Sequence, residues 1–476
     1  MNDAAIKNFA VAARQGLMRD VATQMRRWAI DEEETVPAAA DVLNGRPLTA
    51  AERAHRAALL ERCARMGHQA LCEQAAYTWF NRLVAIRYME VHDYLPCGMR
   101  FFSSAADLAA FEPQVLQAAL QVDLPGLDRA QVAQLVQAGD HEGLYRRLLL
   151  AQCAQLAEAL PRVFDRVDAC MGLLLPQGLL REGGVPHQLV AAVPVGDWQR
   201  VEVLGWLYQF YNSELKDDFF KSKRKAAAED IAPATQLFTP EWIVRYMVEN
   251  SLGRLWMLNH PGSALRERMD YYIEPDAAHE GFIRVASPED ITFCDPACGS
   301  GHILSYAFEL LFSMYQEAGY REREIPSLIL QNNLAGMEID PRAAQIASLV
   351  LAMRAREHDR RFLTRGVSAD VTVLQSIPLE EGELTLCGKE LPEALAHLGE
   401  VGSLLAPTAE DVANLKRELA ACEGDLLGAA KADKVRAAVS ACESLSRRFD
   451  VVVANPPYMG SNNFNEFMSK IGRAHV

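Results

Sequence analysis

Close to its end the chain runs FDVVVANPPYMG, Phe449 to Gly460. An apolar strand delivers Asn455, Pro456, Pro457 and Tyr458 to a single turn. These residue types suit one awkward nucleophile, the exocyclic amine of a nucleobase, whose lone pair is delocalised into the ring. Two acceptors aimed at its two N–H bonds favour a more tetrahedral nitrogen and expose the lone pair. The Asn455 side-chain oxygen and the Pro456 carbonyl can serve as those acceptors. The prolines fix φ and contribute no competing N–H. Tyr458 offers a flat face for a base that has left the duplex. The plain alternative is a rigid strand-end turn without chemistry.

Three further motifs precede this one. In DPACGSG, Asp295 to Gly301, a strand ends and the chain turns through Gly299 and Gly301 into a helix. Open parallel sheets bind ligands at the carboxyl ends of their strands, where glycines let a ligand approach the backbone. A nicotinamide site fits poorly. The third glycine of its fingerprint is missing, and the next acid at a strand end, Glu338, lies 39 residues beyond Gly299 and not about 20. In GMEIDP, Glu338 ends a second strand, where a carboxylate can accept from two ribose hydroxyls, and Asp340 follows near an adenine site. In LFTPEW, Thr239 is a good N-cap, Pro240 suits the first helical position and Glu241 the first turn. That helix start could hold a carboxylate or be merely well capped. A ligand with an adenine, a ribose and an amino-acid carboxylate would use all three motifs, and S-adenosylmethionine is such a ligand. Its sulfonium is an excellent leaving group, so alignment carries much of the catalysis and no strong base is needed.

The elements that must position these residues follow from pattern. Residues 1 to about 230 read as helical, with Trp79, Leu83, Ile86 and Tyr88 forming an apolar stripe at helical spacing. Beyond them TPEWIVRYMVENSLGRLWML reads as a helix. The strands of ITFCDPACGSG and NNLAGMEIDP then alternate with helices from His302 and Arg342, the signature of a parallel sheet with crossovers. VTVLQSI reads as another strand. Between about 380 and 448 the texture is helical again. Val412, Leu415, Leu419, Cys422 and Leu426 form a short heptad-like seam, so a helical hairpin inserted before the strand Val451-Val452-Val453 is expected, one that could dock on the N-terminal helices.

Composition narrows the classes. The chain has 476 residues and a net charge of −15, which is not the footprint of a protein that grips duplex DNA by itself. Local basic groups occur around Lys221 and Arg360. No apolar run is long enough to span a bilayer, and the N-terminus reads as an amphipathic helix. A cytoplasmic protein without a membrane role is expected. The ten cysteines include no C-x-x-C pair, so no metal site is expected.

Thr239-Pro240, DPACGSG, GMEIDP and NPPY, in that order, resemble the gamma-class amino-adenine DNA methyltransferases. AYTWFNRLVAIRYMEV, LGWLYQFYNSELKDDFF and ATQLFTPEWIVRYMVENSLGRLW are similar to the PglX family of adenine-specific methyltransferases, from the BREX phage-exclusion systems. The resemblance implies an α/β fold: a Rossmann-like S-adenosylmethionine-dependent methyltransferase sheet in residues 231–470, preceded by a helical domain in 1–230. It implies a cofactor-binding set of Thr239, Pro240, Asp295, Ala297, Cys298, Gly299, Gly301, Glu338, Ile339 and Asp340. Within that set Thr239 takes the methionine carboxylate, Asp295, Cys298 and Gly299 border the methionine part, and Glu338 binds ribose. Asn455, Pro456, Pro457 and Tyr458 would hold a target adenine flipped out of double-stranded DNA, and other BREX proteins would be partners.

The class usually places an acid after the third strand; VTVLQSIPLE offers Gln375 or Ser376 there. The resemblance also implies further strands and a recognition domain after NPPY. The sheet is therefore expected to be incomplete at its C-terminus and the chain to be an inactive N-terminal piece, with Ile471–Val476 an artefactual tail. Two rivals remain. One is a restriction–modification fusion, with Asp197, Glu214 and Lys216 as nuclease residues. The other is a non-catalytic module that binds cofactor or partners.

Overall fold

The computed structural model describes residues 2–164, 166–222, 225, 230, 231, 233, 239–275, 281–379, 382–422 and 429–456. The chain forms two compact units, Met1–Tyr211 and Asn212–Val476.

Within the first unit the long elements are helices, chiefly Asp3–Arg27, Ala50–Met66, His68–Val91 and His141–Ala159, beside a short hairpin of β1 (Val42–Leu43) and β2 (Arg46–Pro47). Local chemistry sets their ends. Thr49 and Glu52 close a capping box on the second helix, and Gly67, at φ +88, ends it and starts the next. His68–Val91 is buried on nearly every side, and its stripe of Trp79, Leu83, Ile86 and Tyr88 lies in the core as expected. Two of its buried charges pair: Arg87 meets Glu90, whose other oxygen accepts from the backbone N–H groups of Phe101 and Phe102 at 2.7 and 2.9 Å.

The second unit is built on four parallel strands: β3 (Phe293–Asp295), β4 (Leu334–Glu338), β5 (Asp370–Val373) and β6 (Val451–Val452). Their order is β5-β4-β3-β6. Two crossover helices, His302–Glu317 and Pro341–His358, follow β3 and β4. This is the α/β alternation read from the sequence. The expected third residue of the last strand, Val453, lies just past β6 but still donates to the Cys294 carbonyl at 3.0 Å.

The period-two alternation of β4 separates the two faces of the sheet. A side chain on Gly336 would strike Leu304 of the first crossover helix at 2.8 Å. Its neighbours Ala335 and Met337 point the other way. They share a buried cluster with Cys294, Leu374, Leu415, Val435, Val439 and Cys442. The last four of these include the inner faces of the helices Ala409–Cys422 and Ala429–Ser446. The inserted hairpin therefore exists, and it packs on the sheet. Its apolar stripe is buried against β3 and β4. Leu426 of the expected seam lies outside the described residues.

The helix expected from Thr239 onward is interrupted. It runs Glu241–Val248, then takes a π-turn over Glu249–Gly253, then continues as Arg254–Asn259. The fully buried Glu249 carboxylate accepts from the Tyr306 hydroxyl at 2.6 Å and the Tyr271 N–H at 2.6 Å. A Cβ on Gly253 would lie 2.4 Å from the Met269 sulfur. The wider turn accommodates both close approaches.

Candidate active site at the strand ends

Because the four strands are parallel, their carboxyl ends share one edge of the sheet, and β3 lies between β4 and β6. The motif residues are gathered there.

Asp295 ends β3 and is 1% exposed. One carboxylate oxygen accepts from the Ala297 N–H at 3.1 Å, while Oδ2 has no hydrogen-bond partner among the described residues. Burial, reinforced by the neighbouring Glu338 charge, pushes its pKa up to about 8. The turn that follows is stitched to the next strand, since the Cys298 N–H donates to the Met337 carbonyl at 3.0 Å. The Cys298 thiol is buried and held far above its ordinary pKa, first by burial and then by Glu338 and Asp295. Gly299 and Gly301 have φ of +54 and +85. A Cβ on Gly301 would lie 3.0 Å from Ala347 of the second crossover helix, whereas one on Gly299 would meet nothing within 4 Å among the described residues. One glycine permits packing; the other faces open space.

Glu338 ends β4. Its Oε2 accepts from the Gly299 N–H at 2.8 Å and its Oε1 from the Asp340 N–H at 2.9 Å. Burial, with the Asp340 charge adding to it, raises its pKa to about 7. Asp340 was expected beside an adenine. Its side chain caps the second crossover helix, accepting from the Arg342 N–H at 2.9 Å and Nε at 3.1 Å. Ile339 is half-buried against the hairpin cluster. After β5, Gln375 is exposed, and the Ser376 hydroxyl accepts from the Gly399 N–H at 3.1 Å.

Asn455 leaves the sheet two residues beyond the Val453–Cys294 bond. Its Nδ2 donates to the buried Thr239 hydroxyl at 2.9 Å, across 216 residues of chain. Thr239 is thus not the N-cap that the sequence suggested. Pro240 occupies that position, at φ −53 and ψ 141, and no side chain caps the helix. The expected first-turn acid, Glu241, is in place. Pro456 is exposed. Pro457 and Tyr458 lie outside the described residues.

The structure therefore bonds Gly299 to Glu338, sets the buried Asp295 at the end of the neighbouring strand, places Asn455 just past the strand on the other side, and joins Thr239 to Asn455. Sequence reasoning missed that last contact. Its signal was that both partners precede a proline. Of the rival nuclease set, Glu214 and Lys216 lie on the helix Ser213–Ser222, and Asp197 lies on a 3-10 turn of the first unit. The carboxylates Glu309 and Glu357 cluster with His358, but the Arg354 guanidinium already sits against both, at 3.5 and 3.3 Å.

Comparison with known proteins bears on this edge. Residues 285–470, which include Asp295, Glu338 and Asn455, match the family described as MmeI, DNA-methyltransferase domain. Over 88% of its length the chain is 41% identical to the adenine-specific methyltransferase BrxX of Escherichia coli O9:H4 (strain HS). Over 99% it is 33% identical to the adenine-specific methyltransferase PglX of Lacticaseibacillus casei (strain Zhang). The chain is a homologue of BrxX and PglX. It spans 38% of the first relative and 44% of the second. Among solved structures, the cryo-electron microscopy structure of a DrdV–DNA complex aligns with 99% of this chain and 31% of its own. Its TM-score is 0.35 and its identity 14%, too remote to argue from. Thr239 lies upstream of the segment that matches the methyltransferase family. No helix among the described residues is long and apolar enough to cross a membrane.

Proposed function

We propose that this chain carries the cofactor-binding and catalytic part of a site-specific DNA adenine N6-methyltransferase that uses S-adenosylmethionine, and that it marks host DNA in a BREX-type phage defence system. In this reading residues 231–470 form a Rossmann-like methyltransferase domain and 1–230 a helical domain. Double-stranded DNA is the substrate, other BREX proteins are partners, and the cytoplasm is the site of action. The observation that carries the reading is the placement of Asp295, Glu338 and Asn455 at the carboxyl ends of three adjacent parallel strands.

The residues present fit the cofactor. Asp295 offers a buried carboxylate oxygen without a partner among the described residues, the complement of an ammonium group. Glu338 already accepts two backbone N–H bonds, but each carboxylate oxygen has a second lone pair for a ribose hydroxyl. Gly299 leaves open space above the turn. When bound, S-adenosylmethionine supplies a methyl group on a sulfonium. The Asn455 carboxamide oxygen and the Pro456 carbonyl would accept from the two N–H bonds of the target adenine, and Tyr458 would stack on the base. These two acceptors would hold the amine with its lone pair exposed toward the methyl donor. With a net charge of −15, DNA affinity must come from local basic groups or from partners.

Two measurements test this. Calorimetry should find S-adenosylmethionine binding by the chain, weakened at least about 10-fold in Glu338→Ala through loss of a charged acceptor. In the intact enzyme, transfer of a labelled methyl group to DNA adenine should vanish in Asn455→Ala. No cofactor binding, or unchanged binding in Glu338→Ala, would overturn the assignment.

A further inference from the structure

Thr239 and Asn455 share a structural property that neither motif reveals alone. Each precedes a proline, Pro240 and Pro456. A residue before proline is excluded from most of the helical region and held extended. Both ends of the 2.9 Å hydrogen bond therefore stand on backbones of restricted freedom. Thr239 is also β-branched, so its χ1 is stiff, and it is buried. Asn455 is fixed from the other side by the Val453 N–H bond to Cys294. A hydroxyl held this firmly does not follow the carboxamide; the carboxamide must follow it.

A primary amide has two chemically opposite ends, one donor and one acceptor. Only the acceptor end suits an amine whose N–H bonds must be received. Because Nδ2 is engaged by Thr239, Oδ1 is the end directed elsewhere. The Thr239 hydroxyl hydrogen is a separate resource and can serve another acceptor.

We infer that Thr239 is a positioning residue for Asn455: its hydroxyl oxygen accepts from Nδ2 and holds the carboxamide with Oδ1 turned away from Thr239 and available to the target amine. The inference rests on the methyl-transfer reading of this site and goes beyond a role for Thr239 in holding the cofactor. It makes the start of the Glu241–Val248 helix part of the catalytic turn. It also explains why a hydroxyl stands one residue before the N-cap, where it caps nothing.

The experiment compares Thr239→Val, which keeps the shape without the hydroxyl, with Thr239→Ser, which keeps the hydroxyl. In the intact enzyme at saturating cofactor and DNA, Thr239→Val should lower kcat by about 10- to 100-fold, the cost of a misplaced catalytic group. Thr239→Ser should recover most of the loss. In the 15N-asparagine-labelled chain, the Asn455 side-chain NH2 signals, assigned by their loss in Asn455→Asp, should move in Thr239→Val and stay in place in Thr239→Ser. Unchanged kcat at saturation, with only a raised cofactor Kd, would make Thr239 a cofactor ligand and overturn the inference. Unmoved Asn455 signals in the valine variant would do the same. An unaltered enzyme that transfers no methyl group would instead sink the methyl-transfer reading, and the amide signals would still decide whether the hydroxyl holds the carboxamide.

Discussion

Asp295 and Glu338 are carboxyl groups that the fold keeps from ionising freely, with pKa values raised to about 8 and about 7 from ordinary values of 3.8 and 4.5. A folded-state pKa above the unfolded one has a definite sign. Between roughly pH 4 and pH 8 the unfolded chain has lost protons that the folded chain retains, so these two groups make folding less favourable as pH rises through that window. A cationic ligand reverses the preference, because it favours the ionised acids. Affinity for S-adenosylmethionine should therefore rise between pH 6 and pH 8, by at most about 10-fold per unit for one proton. Binding at pH 6.5 should release protons, read as a buffer-dependent calorimetric enthalpy. Asp295→Asn should flatten the profile, and a flat profile in the unaltered chain would refute the linkage. At this scale the sequence located the acids well, since strand, turn and glycine spacing are local. It misjudged Thr239, because a hydroxyl before a helix looks like a cap until a partner 216 residues away takes it.

The turn between β3 and its crossover helix separates two uses of glycine. Gly301 combines φ +85 with a wall, the Ala347 backbone 3.0 Å from any added Cβ. Gly301→Ala should cost about 2 kcal/mol or more, from left-handed strain together with overpacking. Gly299, at φ +54, has nothing among the described residues within 4 Å of an added Cβ. Gly299→Ala should cost about 1 kcal/mol of strain alone, yet it should impair cofactor affinity more. Thermal melts and calorimetry on the two variants check the order, and a reversal would show that the open space is not where the ligand lies. The glycines were legible as a turn, but which one packs and which one faces a ligand was not, because Ala347 arrives from another helix. The π-turn at Glu249–Gly253 was equally hidden: its cause is a buried carboxylate meeting Tyr306 and Tyr271, a tertiary event that helical periodicity does not record.

In the second unit as a whole, the hairpin of Ala409–Cys422 and Ala429–Ser446 supplies an entire layer. Leu415 and Val435 are fully buried in the cluster that also holds Ala335 and Met337 of β4. Leu415→Ala should destabilise this unit by about 2–4 kcal/mol, measured by urea unfolding. A cost below about 0.5 kcal/mol would mean that the hairpin is a loose appendage. The sequence revealed the inner stripe and the hairpin, but a stripe does not name the surface it buries. Val451 and Val453 direct their amides inward to Thr292 and Cys294, so Val452, 58% exposed, turns its own peptide group outward. Among the described residues nothing laces onto that rim, and such rims recruit extended neighbours. Any segment that zips along β6 would brace the chain three residues upstream of the Asn455 carboxamide. Whichever segment borders Val452 would then bear on where Asn455 sits.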